Sequence, residues 1–324
     1  MSPAKYRKII KLALAVAIVA AIAASLQHSG RQLGQMNLTI SPMKLAVAIA
    51  LTLIYRLLNA SVWSQVLAGL GQRVAVIPSA ALWLKTEAAR WLPGSVWNFG
   101  TRAVVSKKLS VPATVGALSV VAELMLVIAA WSLIAGCGGV YYREVLSQTL
   151  KTIPTRSSLL AFGIGFLTCL AGLTLFRQQL RNAYQKGQAK LRSKLQHLAD
   201  CSLAWGSLGK AAVAYTVLNL INGVCFWLIV ASISPESSLP VEAAIAANAT
   251  AWLVGFFAIF APGGLVVREA CLATLLSAWL SPATAIAAAI LWRVVQIAVE
   301  IGALLAAVVL EMALKSGQSA SRPA

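Results

Sequence analysis

A chain of 324 residues that is 59% hydrophobic and only 11% charged, with a mean hydropathy of +0.80, carries more apolar surface than a water-soluble core can hide. The formal net charge of +18 would point to nucleic acid in a soluble protein, but here the basic residues cluster between long apolar runs, so no nucleic-acid partner is expected and the charge reads as membrane topology. Five scattered cysteines without a CxxC pair, and His28 and His197 as the histidines, leave metal and thiol chemistry without support, and no cofactor is expected.

In chain order, membrane spans are predicted over about 9–27, 43–70, 112–135, 157–176, 210–232, 242–260 and 283–312, with an eighth at 264–281 that either crosses or is re-entrant. Runs of roughly 18 apolar residues or more match the length a helix needs to cross a hydrocarbon core of about 30 Å. Transmembrane β-strands would be shorter and alternating. The fold class is therefore all-α, a polytopic integral membrane protein with seven to eight transmembrane helices. The first run has basic flanks like a signal peptide but no convincing cleavage site, and is read as a retained helix.

Basic residues near helix ends stay on the cytoplasmic side. The N-terminus holds Lys5, Arg7, Lys8 and Lys11; the loop 71–111 holds Arg73, Lys85, Arg90, Arg102, Lys107 and Lys108; the loop 177–210 holds seven more Lys and Arg. The opposite loops hold Arg31, Lys44, Arg143, Lys151 and Arg156. This asymmetry places the N-terminus in the cytoplasm of a cell (inner) membrane protein. The C-terminus joins it there if 264–281 crosses. Residues 1–314 then form a single transmembrane domain, with halves at about 43–176 and 210–312 around the basic loop 177–210, and 315–324 is a short cytoplasmic tail. Within that loop, Leu180, Tyr184, Leu191, Leu195 and Leu198 share a helical face, which fits a helix lying on an anionic surface as well as an ordinary positive-inside loop.

Two segments interrupt apolar sequence with Pro-Gly, at Pro93–Gly94 and at Pro262–Gly263–Gly264. Arg102 and Arg268 follow them, and Pro-Ala-Thr opens the next span at Pro112 and at Pro282, spacings of 19 and 20 residues between the prolines. With the topology above, the two following spans run in opposite directions, the inverted-repeat arrangement in which broken helices meet near the bilayer midplane. Pro-Gly ends helical hydrogen bonding, and the freed backbone groups must face protein or a wet cavity.

Arg56, Glu123, Arg268, Glu269, Arg293 and Glu300 fall inside apolar spans or at these breaks, where an unpaired charge costs about 2.5–3.5 kcal/mol on insertion scales. They must be paired or hydrated. Arg293 and Glu300, two helical turns apart, share a face, and Glu123 and Arg293 stand at equivalent points eleven residues after Pro112 and Pro282, so that Glu123–Arg293 pairing is expected. Such charges could fix helix register, or they could bind a ligand; arginines suit phosphate through their planar fork of donors. Asn59, Asn219, Asn222 and Asn248 suit interhelical hydrogen bonds. Trp83, Trp91 and Trp97 read as interfacial anchors.

The stretch RWLPGSVWNFGTRAVVSKKLSVP, followed far downstream by APGGLVVREACLATLL and a span with a central acidic residue, resembles the flippase-like membrane domain of lysylphosphatidylglycerol synthetases, which also occurs alone. Pro93, Gly94, Pro262, Gly263, Gly264, Arg268 and Glu269 carry the match; Val266 stands where the family commonly has glycine. The resemblance implies movement of a lipid or lipid-linked molecule between leaflets. Arg56, Arg90, Arg102, Arg268 and Arg293 would then attract an anionic or phosphate-bearing headgroup, and Glu123 and Glu300 would gate or carry protons. The chain ends at Ala324 without a soluble aminoacyl-transfer domain or a nucleotide loop, so neither catalysis nor ATP-driven transport is expected. The alternatives are a membrane-embedded transferase acting on a lipid, and a scaffold for lipid-synthesis enzymes.

Overall fold

The structure is a computed structural model that describes residues 27, 31, 40–91, 97–142, 204–258, 264 and 266–320, and it is all-helical among them. The first half comprises α1 (Pro42–Gly69), α2 (Val76–Glu87) with a 3₁₀ turn at Ala88–Trp91, α3 (Trp97–Val105) with a second at Ser106–Leu109, and α4 (Ala113–Tyr141). The second comprises α5 (Trp205–Ile233), α6 (Val241–Phe257), α7 (Val267–Leu276) and α8 (Pro282–Ala320). Proline punctuates the starts. Pro42 and Pro282 open α1 and α8, and Pro112 and Pro240 precede α4 and α6, positions where a missing N–H costs nothing and φ is already helical.

Four helices are long and apolar enough to cross a membrane: α1, α4, α5 and residues Pro282–Met312 of α8, with 28, 29, 29 and 31 residues. At about 1.5 Å per residue each exceeds the hydrocarbon thickness. The predicted spans at 43–70, 112–135, 210–232 and 283–312 correspond to these helices. The span predicted at 242–260 is the 17-residue α6, and the doubtful one at 264–281 holds the ten-residue α7, only about 15 Å long, which is too short to cross. The predicted span 9–27, the span 157–176 and most of the basic loop lie outside the described residues.

α1 and α5 run antiparallel down the middle. At one end the Ser41 amide donates to the Ser232 carbonyl (2.7 Å) and Lys44 Nζ to the Ala231 carbonyl (3.2 Å); at the other the Ala204 amide donates to the Gly69 carbonyl (2.9 Å). Around this pair the halves repeat each other's neighbours. α2 lies on α8 as α6 lies on α4, and α3 packs on α4 as α7 packs on α8.

Two apolar clusters occupy opposite ends of the bundle. One joins the start of α1 and end of α5 to Ala243 and Ala244 of α6, Leu272 and Leu276 of α7, and Trp292 of α8. The other joins the end of α1 and start of α5 to Leu82, Trp83 and Leu84 of α2, Val111, and Val115 of α4. The pair α6–α7 thus has both arms rooted in one end and α2–α3 both arms in the other. The stretch 71–111, which reads as a loop in sequence, is for the most part this second hairpin packed inside the bundle.

Candidate functional site

Between the two apolar ends lies a layer of buried charge. α2 ends in Thr86 and Glu87, the 3₁₀ turn after it carries Arg90 and Trp91, and α3 brings Asn98 and Arg102 back alongside. Arg102 is 0% exposed, yet fully served: its Nη1 donates to Glu123 Oε2 (2.5 Å), its Nη2 to Glu87 Oε1 (2.5 Å) and its Nε to Thr86 Oγ1 (3.2 Å). The rings of Trp83 and Trp63 lie 4.7 and 5.8 Å from its guanidinium carbon, close enough for cation–π attraction. Trp83 Nε1 donates to the other oxygen of Glu123 (2.6 Å) and Asn98 Nδ2 to Glu87 (3.0 Å). Charges this deep persist because each carboxylate oxygen has a donor.

The network extends to α1 and α8. Arg56 and Arg90 each reach Glu87 Oε2 at 3.4 Å; Arg90 also pairs with Glu300, Arg56 lies 3.8 Å from it, and Trp91 Nε1 donates to it at 3.2 Å. Glu300 therefore ties α8 to the first hairpin.

A second group gathers around the other hairpin. Arg268 Nη1 donates to Gln296 Oε1 (2.8 Å) and Nη2 to Asn248 Oδ1 (3.2 Å), which also accepts from Trp292 Nε1 (3.1 Å). Asn248 Nδ2 in turn donates to Asn222 Oδ1 (2.9 Å), an interhelical bond between α6 and α5. Arg293 Nε lies 3.8 Å from Glu269 Oε1, and its guanidinium sits 5.0 Å from the Trp91 ring, which joins the two groups. At the hairpin tip Gly264 has φ +70°, and a Cβ there would press on the Gly255 backbone at 3.0–3.2 Å, so glycine lets the tip close on α6.

The structure thus brings together Arg56, Arg90, Arg102, Glu123 and Glu300 in one network and Arg268, Glu269 and Arg293 in the other, with Gly264 beside the second. Pro93, Gly94, Pro262 and Gly263 lie outside the described residues. One expected relationship differs. Glu123 and Arg293 do not pair with each other, because each reaches the hairpin of its own half, at Arg102 and at Glu269. Arg293 and Glu300 share a face of α8, as expected: both lie against Trp91, while their ion pairs go to different hairpins. Trp83 and Trp91 are buried hydrogen-bond donors to carboxylates and not interfacial anchors, whereas Trp97 is exposed.

Sequence reasoning passed over Glu87, which meets three arginines, as well as Asn98 and Gln296. The one available signal was rarity: Glu87 is one of nine acidic residues in the chain and stands between Lys85 and Arg90 on a segment rich in tryptophan. A family model described as lysylphosphatidylglycerol synthase TM region matches residues 9–303, most of the chain. A search of the curated proteins finds no match to it.

Proposed function

Since the chain belongs to the lysylphosphatidylglycerol synthase TM region family, a membrane family with a lipid-related role, we propose that it moves a lipid or lipid-linked molecule between leaflets of the cell membrane without hydrolysing ATP. The observation that carries this reading is the pair of hairpins, rooted in opposite ends of an antiparallel bundle and meeting on a charged layer between the two apolar clusters. In a membrane, broken hairpins of this kind are re-entrant and place polar groups near the midplane, where a headgroup must pass. Anionic lipid would be drawn to the arginines, and Glu300, shared between α8 and the first hairpin, is placed to couple headgroup passage to movement of that hairpin.

With α2–α3 and α6–α7 both re-entrant, the described helices α1, α4, α5 and α8 make four crossings, and the spans expected at 9–27 and 157–176 bring both termini to the cytoplasm, in line with the Lys and Arg distribution. The test is dithionite quenching of fluorescent phospholipids in liposomes reconstituted with the purified chain. Translocation is expected, with at least a tenfold loss in Glu300→Gln and Arg268→Ala. A folded, fully active Arg268→Ala protein overturns the site. Headgroup modification without translocation assigns a membrane-embedded transferase instead.

A further inference from the structure

The central pair of helices carries polar residues that take no part in the ion pairs. Gly69 of α1 lies against Leu208 of α5, and Thr52 of α1 lies against Cys225 of α5. This antiparallel register puts Tyr55 level with Asn222, Asn59 level with Leu218 and Asn219, and Val62 level with Tyr215. On α5 itself Tyr215, Asn219 and Asn222 stand at i, i+4 and i+7, on one face of the helix. All three are buried, at 0, 1 and 2% exposure.

Asn222 is used as a buried asparagine ordinarily is: it accepts from Asn248 of α6, which in turn accepts from Arg268 and Trp292. Asn219 is not, because its Nδ2 has no hydrogen-bond partner among the described residues. Tyr215 Oη faces Glu123 of the first network, at the edge of hydrogen-bond range, and closes no ordinary hydrogen bond with a described residue. A buried N–H or O–H left unpaired is costly, and an apolar side chain of similar size would avoid that cost. At about 1.5 Å per residue, α5 advances about 6 Å from Tyr215 to Asn219 and about 4.5 Å from Asn219 to Asn222. Gaps of this size suit a bridging water molecule.

We propose that α1 and α5 hold buried water at Asn219, that Asn219 Nδ2 and Tyr215 Oη donate to it, and that it completes a hydrogen-bonded chain from Glu123 through Tyr215, Asn219 and Asn222 to Asn248 and Arg268. The chemistry of the site selects water. An amide donor disfavours a cation, and the Glu123 carboxylate beside Tyr215 disfavours an anion, whereas a neutral molecule that both accepts and donates satisfies each group. The chain is a second link between the two hairpins, besides the contact of Arg293 with Trp91, and it runs through the helix pair at the centre of the bundle. It stands whatever molecule the protein carries.

The test is X-ray hydroxyl-radical labelling of the full chain in detergent, read residue by residue by mass spectrometry, since ordered water yields the radical beside groups that bulk solvent does not reach. Tyr215 is expected to be labelled at least tenfold faster than Trp63, which is equally buried, sits at the same level on α1 and donates its Nε1 directly to Ser119. Opening of α1 from α5 would label both residues, so equal rates overturn the proposal. Asn219→Leu, which removes a donor and fills the space, is expected to bring Tyr215 down to the Trp63 rate. A folded Asn219→Leu protein that still labels Tyr215 at the original rate overturns it too. Should Asn219→Leu fail to fold, the ratio in the unaltered protein still decides. The chain is read from the unfolding equilibrium constants of Tyr215→Phe, Asn248→Leu and the double variant. Their effects are expected to depart from simple multiplication by at least threefold, as groups in one hydrogen-bonded network do. Simple multiplication overturns the chain.

Discussion

Arg102 spans the 21 residues to Glu123 with a 2.5 Å contact and holds Glu87 at the same distance with its other Nη, so one guanidinium clamps α2, α3 and α4 together. Removing one partner of a buried pair leaves the other charge uncompensated, which typically costs about 3–5 kcal/mol. Glu123→Leu is expected to lose about 3 kcal/mol in thermal unfolding in detergent, and Arg102→Lys to be no substitute, since an ammonium cannot serve two carboxylates with a planar fork. The double change Arg102→Met with Glu123→Leu should cost at least about 1 kcal/mol less than the sum of its single changes. Strict additivity would show that the pair does not act as a unit.

Gly116 positions this clamp. A Cβ there would lie 2.0 Å from Ser106 Oγ and 2.9 Å from the Ala103 carbonyl, so α4 approaches the end of α3 only because residue 116 has no side chain. Gly136 and Gly139, on the same helix, have nothing within 4 Å of an added Cβ. Gly116→Ala is expected to destabilise by about 1–3 kcal/mol through overpacking, and Gly136→Ala or Gly139→Ala to stabilise by up to about 1 kcal/mol through helix propensity. Melting temperatures that move in the same direction for all three would contradict the close approach.

Val266 precedes α7 with φ +69° and ψ −45°, a region that β-branched residues avoid. Its side chain is 70% exposed, so packing does not compensate. Strain of this kind costs about 1–3 kcal/mol, and glycine gives back about 0.5–1 kcal/mol in chain entropy. Val266→Gly, which removes the strained side chain, is expected to raise stability by about 1 kcal/mol. A lower melting temperature in that variant would show that the valine holds the tip in place.

The long helices were legible in the sequence because an 18-residue apolar run has few other uses, and their proline starts marked the boundaries closely. The first hairpin was not. Arg90 and Arg102 look like positive-inside markers until Glu87, Glu123 and Glu300 are seen to cancel them, and pairing over 15, 21 and 210 residues leaves no trace in a count of basic residues. α2, α3 and α7, with 12, 9 and 10 residues, also fall below the length at which hydropathy alone identifies a helix inside a membrane. The ends of the helical segments at Trp91 and Phe257, just before the Pro-Gly positions in sequence, were legible because proline and glycine act locally. Which charge met which was not, because α8 presents Arg293 and Glu300 to two hairpins that arrive from opposite ends.

Asn248 offers the sharpest control on charge. Its Oδ1 accepts from Arg268 and from Trp292, and its Nδ2 donates to Asn222. Asn248→Asp keeps both accepted bonds and supplies Arg268 with a carboxylate. The lost donation is recovered if the Asn222 amide turns to present its NH₂, an exchange that a terminal amide makes readily. Stability is therefore expected to stay within about 1 kcal/mol, whereas Asn248→Leu, which takes the acceptor from Arg268 Nη2 and from the Trp292 N–H, should cost about 1–3 kcal/mol for each buried group left unpaired. The added carboxylate changes the charge beside Arg268, so Asn248→Asp should translocate lipid at least tenfold more slowly while unfolding near the original temperature. Wild-type translocation in a folded Asn248→Asp protein would show that Arg268 is held for its hydrogen bonds and not for its charge.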